Sequence, residues 1–449
     1  MREVRRLRGE RASGVAAAEP EPPQSSATQP LTLFGYAPAA SHGSPAGWLV
    51  GWHHGFFSIP TWLLASSVLE KAVACCMAHY HDRSLLSLPH MASTSDPLTA
   101  SELTASWLSR VLRQDIDELE YEAFGEGHGF LGSMVAVRAG SLGRVLLKFP
   151  PAEQQMAAIA GFNELLFYGA MLDGHLNDAA WQQHVPRCLY VTRGVSAARS
   201  GVIAMGLLPG RMVPLHEGLD FAHTAVALRA LARCHATFVT TSVEQREQPP
   251  PPFAWLPCAG TNEQLLAQLF HSELANVELR RLLTDRQLEQ LHELAVPGRI
   301  SAEARGRHGK CRTLCHGDLW VNNLLFRDEQ GQLEVAIVDW QFVTWSSPMY
   351  DVAFLLGANM RTHDRRTMEL QLLELYYDEL VRHAPQLQTD EWPLSAAIAD
   401  YRALLLFALL FYIASFPSFG LLLRDDVQSR TSGLVTDVLD DLLRSSPAD

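Results

Sequence analysis

Four polar residues that could do chemistry stand in a short apolar stretch, residues 314–326, which reads LCHGDLWVNNLLF. Buried polar groups need partners, because leaving one without a hydrogen bond costs free energy. The spacing fits HxDxxxxN, in which the Asp accepts a proton from an attacking hydroxyl and the Asn binds a Mg²⁺ that bridges nucleotide phosphates. We therefore predict that Asp318 is a catalytic base, that Asn323 is a metal ligand, and that His316 braces the loop by hydrogen bonds. Asn322 fits the spacing less well.

A second metal ligand is predicted 16 residues after Asn323, where the strand-like segment LEVAIVDW contains Asp339. The pieces LLF, RDEQGQ and LEVAIVDW predict a β-hairpin, which would return Asp339 to the side of Asn323. Two hard oxygen ligands suit Mg²⁺, which keeps most of its waters and takes few protein ligands. Asp351, in SSPMYDVAFLL, is interpreted as a structural residue that bonds to the catalytic loop.

A glycine-rich segment, GEGHGFLGS, supplies Gly125, Gly127, Gly129 and Gly132 and satisfies the pattern GxGxxG. A dinucleotide site would need a helix directly after these glycines, so that its N-terminus meets the pyrophosphate. The next residues, SMVAVRA, are strand-like instead. A glycine loop between antiparallel strands can fold over nucleotide phosphates, and we predict that role here. A plain hairpin turn is the alternative.

Lys148 ends the third predicted strand, 16 residues beyond Gly132. In a phosphoryl-transfer site such a Lys contacts the α- and β-phosphates and is held by a Glu on the next helix. The predicted helix, residues 152–172, contains Glu153 and Glu164. Glu164 is flanked by apolar residues in FNELLFY, and a buried carboxylate needs a cation. Glu164 is therefore the predicted partner of Lys148.

Two metal-binding alternatives concern the same region. Cys311, Cys315 and His316 resemble the CxxCH haem attachment but with one residue too many, and as a zinc site they lack a clear fourth ligand. Alternation through CRTLC makes both cysteines ordinary buried strand residues. His235, in LARCHATF, is interpreted as a packed core residue.

The elements that must position these residues predict an α+β chain. Short alternating runs separated by glycines predict a small, mainly antiparallel sheet with one helix, and helical patterns dominate from about residue 215. A first helix is predicted to begin near Leu98, and two helical stretches are predicted between residues 263 and 294. The apolar run at residues 403–416 is 14 residues long, which is too short to span a membrane, so a core helix is predicted there.

Composition limits the partners and the compartment. The chain has 449 residues, a net charge of −13 and no basic run after its N-terminus, which argues against a nucleic-acid partner. Seven scattered Cys do not predict a disulfide framework, and a reducing, cytoplasmic location is the simpler interpretation.

The first ninety residues differ from the rest of the chain. They begin with an Arg-rich stretch and continue through a low-complexity segment that is typical of disorder. Residues 48–69 are long and uncharged enough to suggest a membrane span, although His53, His54 and Pro60 interrupt them. Organelle targeting, or membrane association through residues 44–69, is therefore the alternative to a cytoplasmic protein.

The motifs resemble the ecdysteroid-kinase-like (EcKL) group of the aminoglycoside and choline phosphotransferase superfamily. The resemblance rests on three segments: HGDLWVNN, which contains Trp320, then DWQ at residues 339–341, and then MYDVAFLL. GEGHGFLGS, LLKFPP, FNELLFY and LARCHATF also look like family segments in the same order. The resemblance covers about residues 98–443.

The resemblance implies a two-lobed, protein-kinase-like fold with ATP and Mg²⁺ between a small antiparallel β lobe and a larger helical lobe. It implies the same roles for the five residues named above: Lys148, Glu164, Asp318, Asn323 and Asp339. It also implies a nucleotide contact at Met205 through backbone groups. Where similar proteins often show EDL after the hinge strand, this chain has AMGLLPG instead.

The expected organisation is an N-terminal extension (1–96), a nucleotide-binding N-lobe (97–209) and a helical C-lobe (210–449). The expected function is ATP- and Mg²⁺-dependent phosphorylation of a hydroxyl on a small, lipophilic alcohol of steroid or xenobiotic type. The alternatives are a choline- or aminoglycoside-type small-molecule kinase, a nucleotide-binding scaffold without transfer activity, and an oxidoreductase that uses the GxGxxG segment.

Overall fold

Gly140 and Gly143 separate two strands of the sheet, as the sequence predicts. A computed structural model of the chain describes residues 96–97, 99–122, 133–149, 155–193, 201–258, 263–304, 306, 309–415 and 425–445. Five strands form an antiparallel sheet in the order β1-β2-β3-β5-β4. They are β1 (Tyr121–Glu122), β2 (Ser133–Arg138), β3 (Arg144–Phe149), β4 (Cys188–Val191) and β5 (Ile203–Gly206). The α+β class is confirmed.

Three helices accompany this sheet: α1 (Ala105–Leu112), α2 (Gln155–Leu172) and α3 (Ala179–His184). The prediction of a helix from about Leu98 is wrong, because a 3-10 turn at Ala100–Glu102 comes first and α1 begins only after Thr104. Thr104 is the N-cap, and its hydroxyl accepts a hydrogen bond from the backbone N–H of Trp107 at 3.2 Å. Trp107 then packs under the sheet as part of a small apolar core.

The remaining strands form two short antiparallel pairs. They are β6 (Thr313–Cys315) with β9 (Thr344–Ser346), and β7 (Leu324–Glu329) with β8 (Gln332–Ile337). The predicted hairpin is confirmed as β7–β8, with Gln330 and Gly331 between the strands at φ +56° and +82°. Two successive residues with positive φ suit the tight turn of a two-residue hairpin.

Nine helices complete the described part of the chain. In chain order they are α4 (Phe221–Ala236), α5 (Glu263–Glu273), α6 (Val277–Leu282), α7 (Asp285–Leu294), α8 (Pro297–Ala304), α9 (Met349–Asn359), α10 (Thr362–His383), α11 (Leu394–Ser415) and α12 (Asp425–Ser445). Three helices rather than two occupy residues 263–294, because Asn276 and Thr284 each cap a new helix start.

The apolar run near the C-terminus lies in a longer helix than the sequence indicated. α11 has 22 residues, because LSAAIADYR continues the helix on the N-terminal side of the run. By length and composition alone its segment Leu394–Ala414 could cross a membrane, but 78% of the most apolar window is buried inside the protein. The prediction of a core helix is confirmed, whereas the argument from short length is wrong.

The segment that follows β5 contacts the β7–β8 hairpin near the predicted lobe boundary. Arg211 N–H donates to the Phe326 carbonyl at 2.8 Å, and Phe326 N–H donates to the Arg211 carbonyl at 2.9 Å. The chain leaving β5 therefore pairs with the β7–β8 hairpin. The domain limits at residues 96 and 209 stay predictions, and residues 1–95 lie outside the described residues.

Candidate active site

Three charged residues from distant parts of the sequence meet in one buried cluster. Lys148, on β3, has its Nζ 2.7 Å from Oε2 of Glu164 on α2. The same Nζ donates a hydrogen bond to Oδ1 of Asp339 at 2.5 Å. The side chains of Lys148 and Glu164 are only 7% and 1% exposed, while that of Asp339 is 31% exposed. The predicted Lys148–Glu164 pair therefore exists, and Asp339 shares it.

Burial and the neighbouring charges shape the protonation of this cluster. Burial alone would lower the pKa of Lys148, but the carboxylates of Asp339 and Glu164 outweigh it and raise that pKa above its usual range. Burial also raises the pKa of Glu164, against the opposing effect of the Lys148 ammonium. With all three groups ionised the cluster carries one negative charge in excess, which favours a further cation.

The helix that carries Glu164 is fixed against the turn that follows Asp339. Phe167 stacks on Trp340 with ring centroids 4.7 Å apart and ring planes 6° apart. Trp181 of α3 packs on the same Trp340 ring at 5.2 Å. Aromatic contacts of this kind add to the burial energy of the rings. The position of Glu164 is thereby coupled to that of Asp339.

Asp339 has an unusual backbone, with φ 67° and ψ 63°. This left-handed conformation is uncommon for residues other than glycine, and such residues concentrate at functional sites. The hairpin returns Asp339 to Asn323, because the N–H of Val338 donates to the Asn323 carbonyl at 3.0 Å. The predicted convergence of Asn323 and Asp339 is thus present in the backbone pairing.

Asn323 is 5% exposed, and its side-chain amide is already oriented. Its Nδ2 donates to the backbone carbonyl of Asp318 at 2.8 Å and lies 3.4 Å from Oδ2 of the same residue. Because Nδ2 is used as a donor, Oδ1 is the atom that Asn323 can offer to a cation. Asn323 and Asp339 together supply the hard oxygen ligands that Mg²⁺ prefers.

Asp318 is half-buried between these groups. Burial and the nearby charge of Asp339 raise its pKa to about 7, while the hydrogen bond from Asn323 acts in the opposite direction. A carboxylate with a pKa near neutrality accepts a proton far more readily than an ordinary Asp. The predicted base thus has an environment suited to that role.

His316 is fully buried, and the backbone uses both of its ring nitrogens. Nδ1 lies 3.2 Å from the N–H of Asp318, and Nε2 lies 2.9 Å from the Val338 carbonyl. The network assigns Nδ1 as acceptor and Nε2–H as donor, which is the neutral ring, and burial lowers the pKa of His316. This geometry ties the loop of Asp318 to the end of β8. It is the geometry of a brace, as predicted.

Gly317 lies where another residue would not fit. Its φ is +87°, and a Cβ placed on it would lie 2.0 Å from the carbonyl oxygen of Phe342. The loop that carries Asp318 and the turn that follows Asp339 therefore approach each other as closely as two backbones can.

α9 holds this loop from behind through two side chains. Asp351 accepts hydrogen bonds from the N–H groups of His316 at 2.6 Å and Gly317 at 2.9 Å. Asn359 accepts from the N–H of Val321 at 2.6 Å and donates to the carbonyl of Leu319 at 3.1 Å. Asp351 agrees with its sequence-based interpretation, whereas sequence reasoning missed Asn359. The available signal was an Asn inside the apolar run FLLGANM.

The cysteines and His235 belong to the support of the loop. His235, Cys315 and Asp351 have ligand atoms within 4.8 Å of one another. These atoms are already hydrogen-bonded: Nε2 of His235 to Asp351 at 3.2 Å, and Sγ of Cys315 to the Ser347 carbonyl at 3.4 Å. Burial raises the pKa of the Cys315 thiol well above its usual range, which favours the neutral thiol. The packed-core interpretation of Cys315 and His235 is confirmed.

The other predicted nucleotide contacts are less defined. Gly125, Gly127, Gly129 and Gly132 lie outside the described residues. Met205 is 4% exposed on β5, opposite Leu146. The next two backbone N–H groups along this strand, at residues 206 and 207, donate to carbonyls of residues 187 and 144. The contact at Met205 stays a prediction.

The class of the chain comes from its match to a kinase-like family. Residues 144–389, more than half of the chain, match the ecdysteroid kinase-like family. The chain belongs to that family. The α+β architecture, a small antiparallel sheet followed by a mainly helical part, agrees with the protein-kinase-like fold that the resemblance implied.

Several known proteins are similar to the chain at low identity. A wild-type aminoglycoside 2′-phosphotransferase-IIIa in its GDP complex is 17% identical with a TM-score of 0.45, covering 75% of this chain and 98% of that chain. A choline kinase from Cryptosporidium parvum Iowa II is 12% identical with a TM-score of 0.47, covering 76% and 95%. A Caenorhabditis elegans protein named uncharacterized oxidoreductase dhs-27 is 26% identical in an alignment 207 residues long, which covers 43% of this chain. The match spans only 24% of that protein.

Proposed function

We propose that the protein is an ATP- and Mg²⁺-dependent phosphotransferase that acts on a hydroxyl of a small, lipophilic alcohol. The observation that carries the proposal is the buried Lys148, held between Glu164 and Asp339. A Lys in this setting keeps its charge and presents it to an anion. Asp318 and Asn323 lie beside the same cluster, as phosphoryl transfer requires.

The oxygen atoms that the site offers fit a Mg²⁺–ATP complex. Asp339 and Asn323 offer carboxylate and amide oxygens, and the ionised cluster has an excess negative charge. A bound Mg²⁺–ATP complex supplies the transferable phosphoryl group and neutralises charge on it. Lys148 would contact the phosphates, with Glu164 holding its ammonium in place.

Asp318 would orient the acceptor hydroxyl and take up its proton. Its raised pKa of about 7 makes it a competent base near neutral pH. The amide of Asn323 and the brace of His316 fix the position of the loop, so that little reorganisation is needed when the acceptor arrives.

Two half-buried aromatic residues, Phe342 and Phe411, support a lipophilic acceptor. Phe342 follows the site turn and packs against Phe411 at 6.3 Å between ring centroids, and Phe411 packs against Phe354 at 5.3 Å. Tyr350 continues this cluster, and its pKa is raised by burial and by nearby carboxylates that include Asp318. Such rings favour apolar surface, or a quaternary ammonium group by cation–π attraction. A choline-like acceptor is therefore the alternative within this class.

A polycationic acceptor has less support. Asp339 and Asp351 are the carboxylates that act on Asp318 electrostatically, and both are engaged, with Lys148 and with loop amides respectively. Neither of these two carboxylates is therefore free for the amines of an aminoglycoside.

The test is mass spectrometry of metabolite extracts incubated with the full-length protein, ATP and Mg²⁺. A product that gains one phosphate, and that disappears with Asp318→Asn or after chelation of Mg²⁺, supports the proposal and identifies the acceptor. Purified steroid alcohols, choline and an aminoglycoside serve as separate arms. Absence of any phosphorylated product from all extracts would contradict it.

Measurements of ATP and NAD binding test two other functions. Binding of ATP without any transfer would indicate a nucleotide-binding scaffold. Binding of NAD in place of ATP would indicate the activity that the name of the Caenorhabditis elegans relative suggests. Against the latter, the segment after the glycine pattern is the strand β2, whereas a dinucleotide site needs a helix there.

We also propose a cytoplasmic location. The described cysteines are all free thiols, and four of the five are buried, as expected in a reducing compartment. Fractionation of cells that express the full-length chain tests this, and recovery in membranes or organelles would contradict it.

A further inference from the structure

Two buried polar groups of the site lack hydrogen-bond partners. The hydroxyl of Tyr168 and the Oε1 atom of Glu164 are both inaccessible to solvent, and neither forms a hydrogen bond in the part of the chain that the structure describes. A buried hydroxyl without an acceptor and a buried carboxylate oxygen without a donor each cost free energy. They are complementary in chemistry, since one is a donor and the other an acceptor.

The two groups are also neighbours in space. Tyr168 follows Glu164 by four residues on α2, and residues at that spacing lie on the same face of a helix. The Tyr168 side chain is fully buried, with its ring edge-on to Phe167 at 5.2 Å. Burial, and then the charges of Glu164, Cys188 and Asp339, raise the pKa of this phenol.

The need for such a donor arises when the site is in use. In this structure two carboxylates hold Lys148. A cation bound to Asp339 would draw on the same negative charge that holds Lys148, so the ammonium would then depend more on Glu164. A carboxylate held by one ion pair through Oε2 can rotate about its last bond, and a hydrogen bond at Oε1 would prevent that rotation.

We propose that Tyr168 is a positioning residue of the nucleotide site, whose hydroxyl donates to Oε1 of Glu164 and thereby fixes Lys148 toward the phosphates. The inference rests on the proposed function, since it assumes a phosphorylated nucleotide at Lys148. It predicts an effect on nucleotides that carry phosphates and none on the nucleoside.

The experiment compares the binding of ATP and of adenosine, with Mg²⁺ present, to the wild type and to Tyr168→Phe by calorimetry. Loss of one hydrogen bond to a buried charged group should weaken ATP binding about tenfold. Adenosine binding should change by less than about twofold, because the nucleoside has no group at Lys148. The unfolding free energy of the nucleotide-free variant should be unchanged or higher, since Phe removes a hydroxyl that has no partner there.

Tyr190→Phe is the matched control. It removes another phenol hydroxyl from the same part of the chain, but that hydroxyl donates to Oδ2 of Asp96 at 2.6 Å. This variant should lose stability and keep the wild-type ratio of ATP to adenosine affinity. Glu164→Gln provides a second test, because adding Tyr168→Phe to it should weaken ATP binding by clearly less than about tenfold.

The outcomes separate the inference from the function on which it rests. If the wild type binds no ATP, the proposed function and the role of Tyr168 both fail. If the wild type binds ATP and Tyr168→Phe weakens ATP and adenosine equally, or neither, only the role of Tyr168 is overturned. A loss of stability in Tyr168→Phe with an unchanged affinity ratio would make Tyr168 a packing residue.

Discussion

Replacing the proposed catalytic base should make the protein more stable while it abolishes activity. Asp318 has its pKa raised from an ordinary value of 3.8 to about 7, mainly by burial and also by the charge of Asp339. A carboxyl group whose pKa is higher in the folded state binds more protons there than in the unfolded state. Stability must then fall as the pH rises between those two values. Asp318→Asn removes this dependence, because Asn is neutral at every pH.

The size of the effect follows from the same shift. At about 1.4 kcal/mol for each pKa unit, the full change would correspond to about 4 kcal/mol above pH 7. The side chain keeps partial contact with solvent, which screens this effect, so about 1 to 2 kcal/mol is the expected gain. The gain should be small near pH 4, grow up to pH 7 and stay constant above it.

Urea unfolding of the wild type and of Asp318→Asn at pH 4.5, 6 and 8 measures this gain, and phosphoryl transfer is assayed on the same samples. Asp390→Asn is the control, since Asp390 is exposed in the segment between α10 and α11 and its replacement should change neither quantity. The argument from the raised pKa would be refuted by a variant that is less stable than the wild type at pH 8. It would also be refuted if the unfolding free energies of the two proteins differed by the same amount at all three pH values.

Three further predictions concern the scaffold of the site. Lys148→Met should lower the unfolding free energy by about 3 to 5 kcal/mol at pH 8, because it leaves buried carboxylates without their cation. The loss should be smaller at pH 5, where these carboxylates can take up protons. Adding Glu164→Gln should recover part of the loss, as measured by urea unfolding. Asn359→Leu should cost about 2 to 5 kcal/mol in the same assay, because a buried N–H and a buried carbonyl lose their partners, and no loss would contradict the bracing role. Gly317→Ala should be far more damaging than Gly331→Ala, although both have positive φ, because only the first places a Cβ against a backbone oxygen. Gly331→Ala should cost about 1 to 2 kcal/mol, and similar losses in the two variants would show that the close approach is absent.

Much of the fold could be predicted because its signals are local. Runs of alternating apolar and polar residues separated by glycines predicted β2 and β3. Apolar residues around Glu164 distinguished it from Glu153 as the buried acid. The start of α1 could not be placed correctly, because a hydroxyl at Thr104 decides it, and Ser and Thr residues are frequent in the whole preceding segment. α11 was underestimated since the apolar run marks only its most buried part.

The site was predictable to the extent that its residues follow a fixed spacing. Asp318, Asn323 and Asp339 lie on one loop and one hairpin, so backbone geometry alone brings them together. Asn359 was not predictable in this way. It bonds to backbone atoms about 40 residues earlier, and the sequence carries no mark of which carbonyl or amide an isolated buried Asn will meet. Tyr168 was likewise hidden, because an aromatic residue on a helix is ordinarily core.

The burial of α9 restricts the motions of the loop that carries Asp318. All eleven residues of α9 are buried, and side chains at its two ends bind three backbone N–H groups of the loop, those of residues 316, 317 and 321. The loop cannot separate from α9 unless these polar groups lose their partners inside the protein. Amide hydrogens at these three positions should therefore exchange with solvent only when the helical part of the chain unfolds as a whole. The loop that carries Asp318 is then as rigid as the core behind it, and any opening and closing of the proposed site must come from the elements that face it.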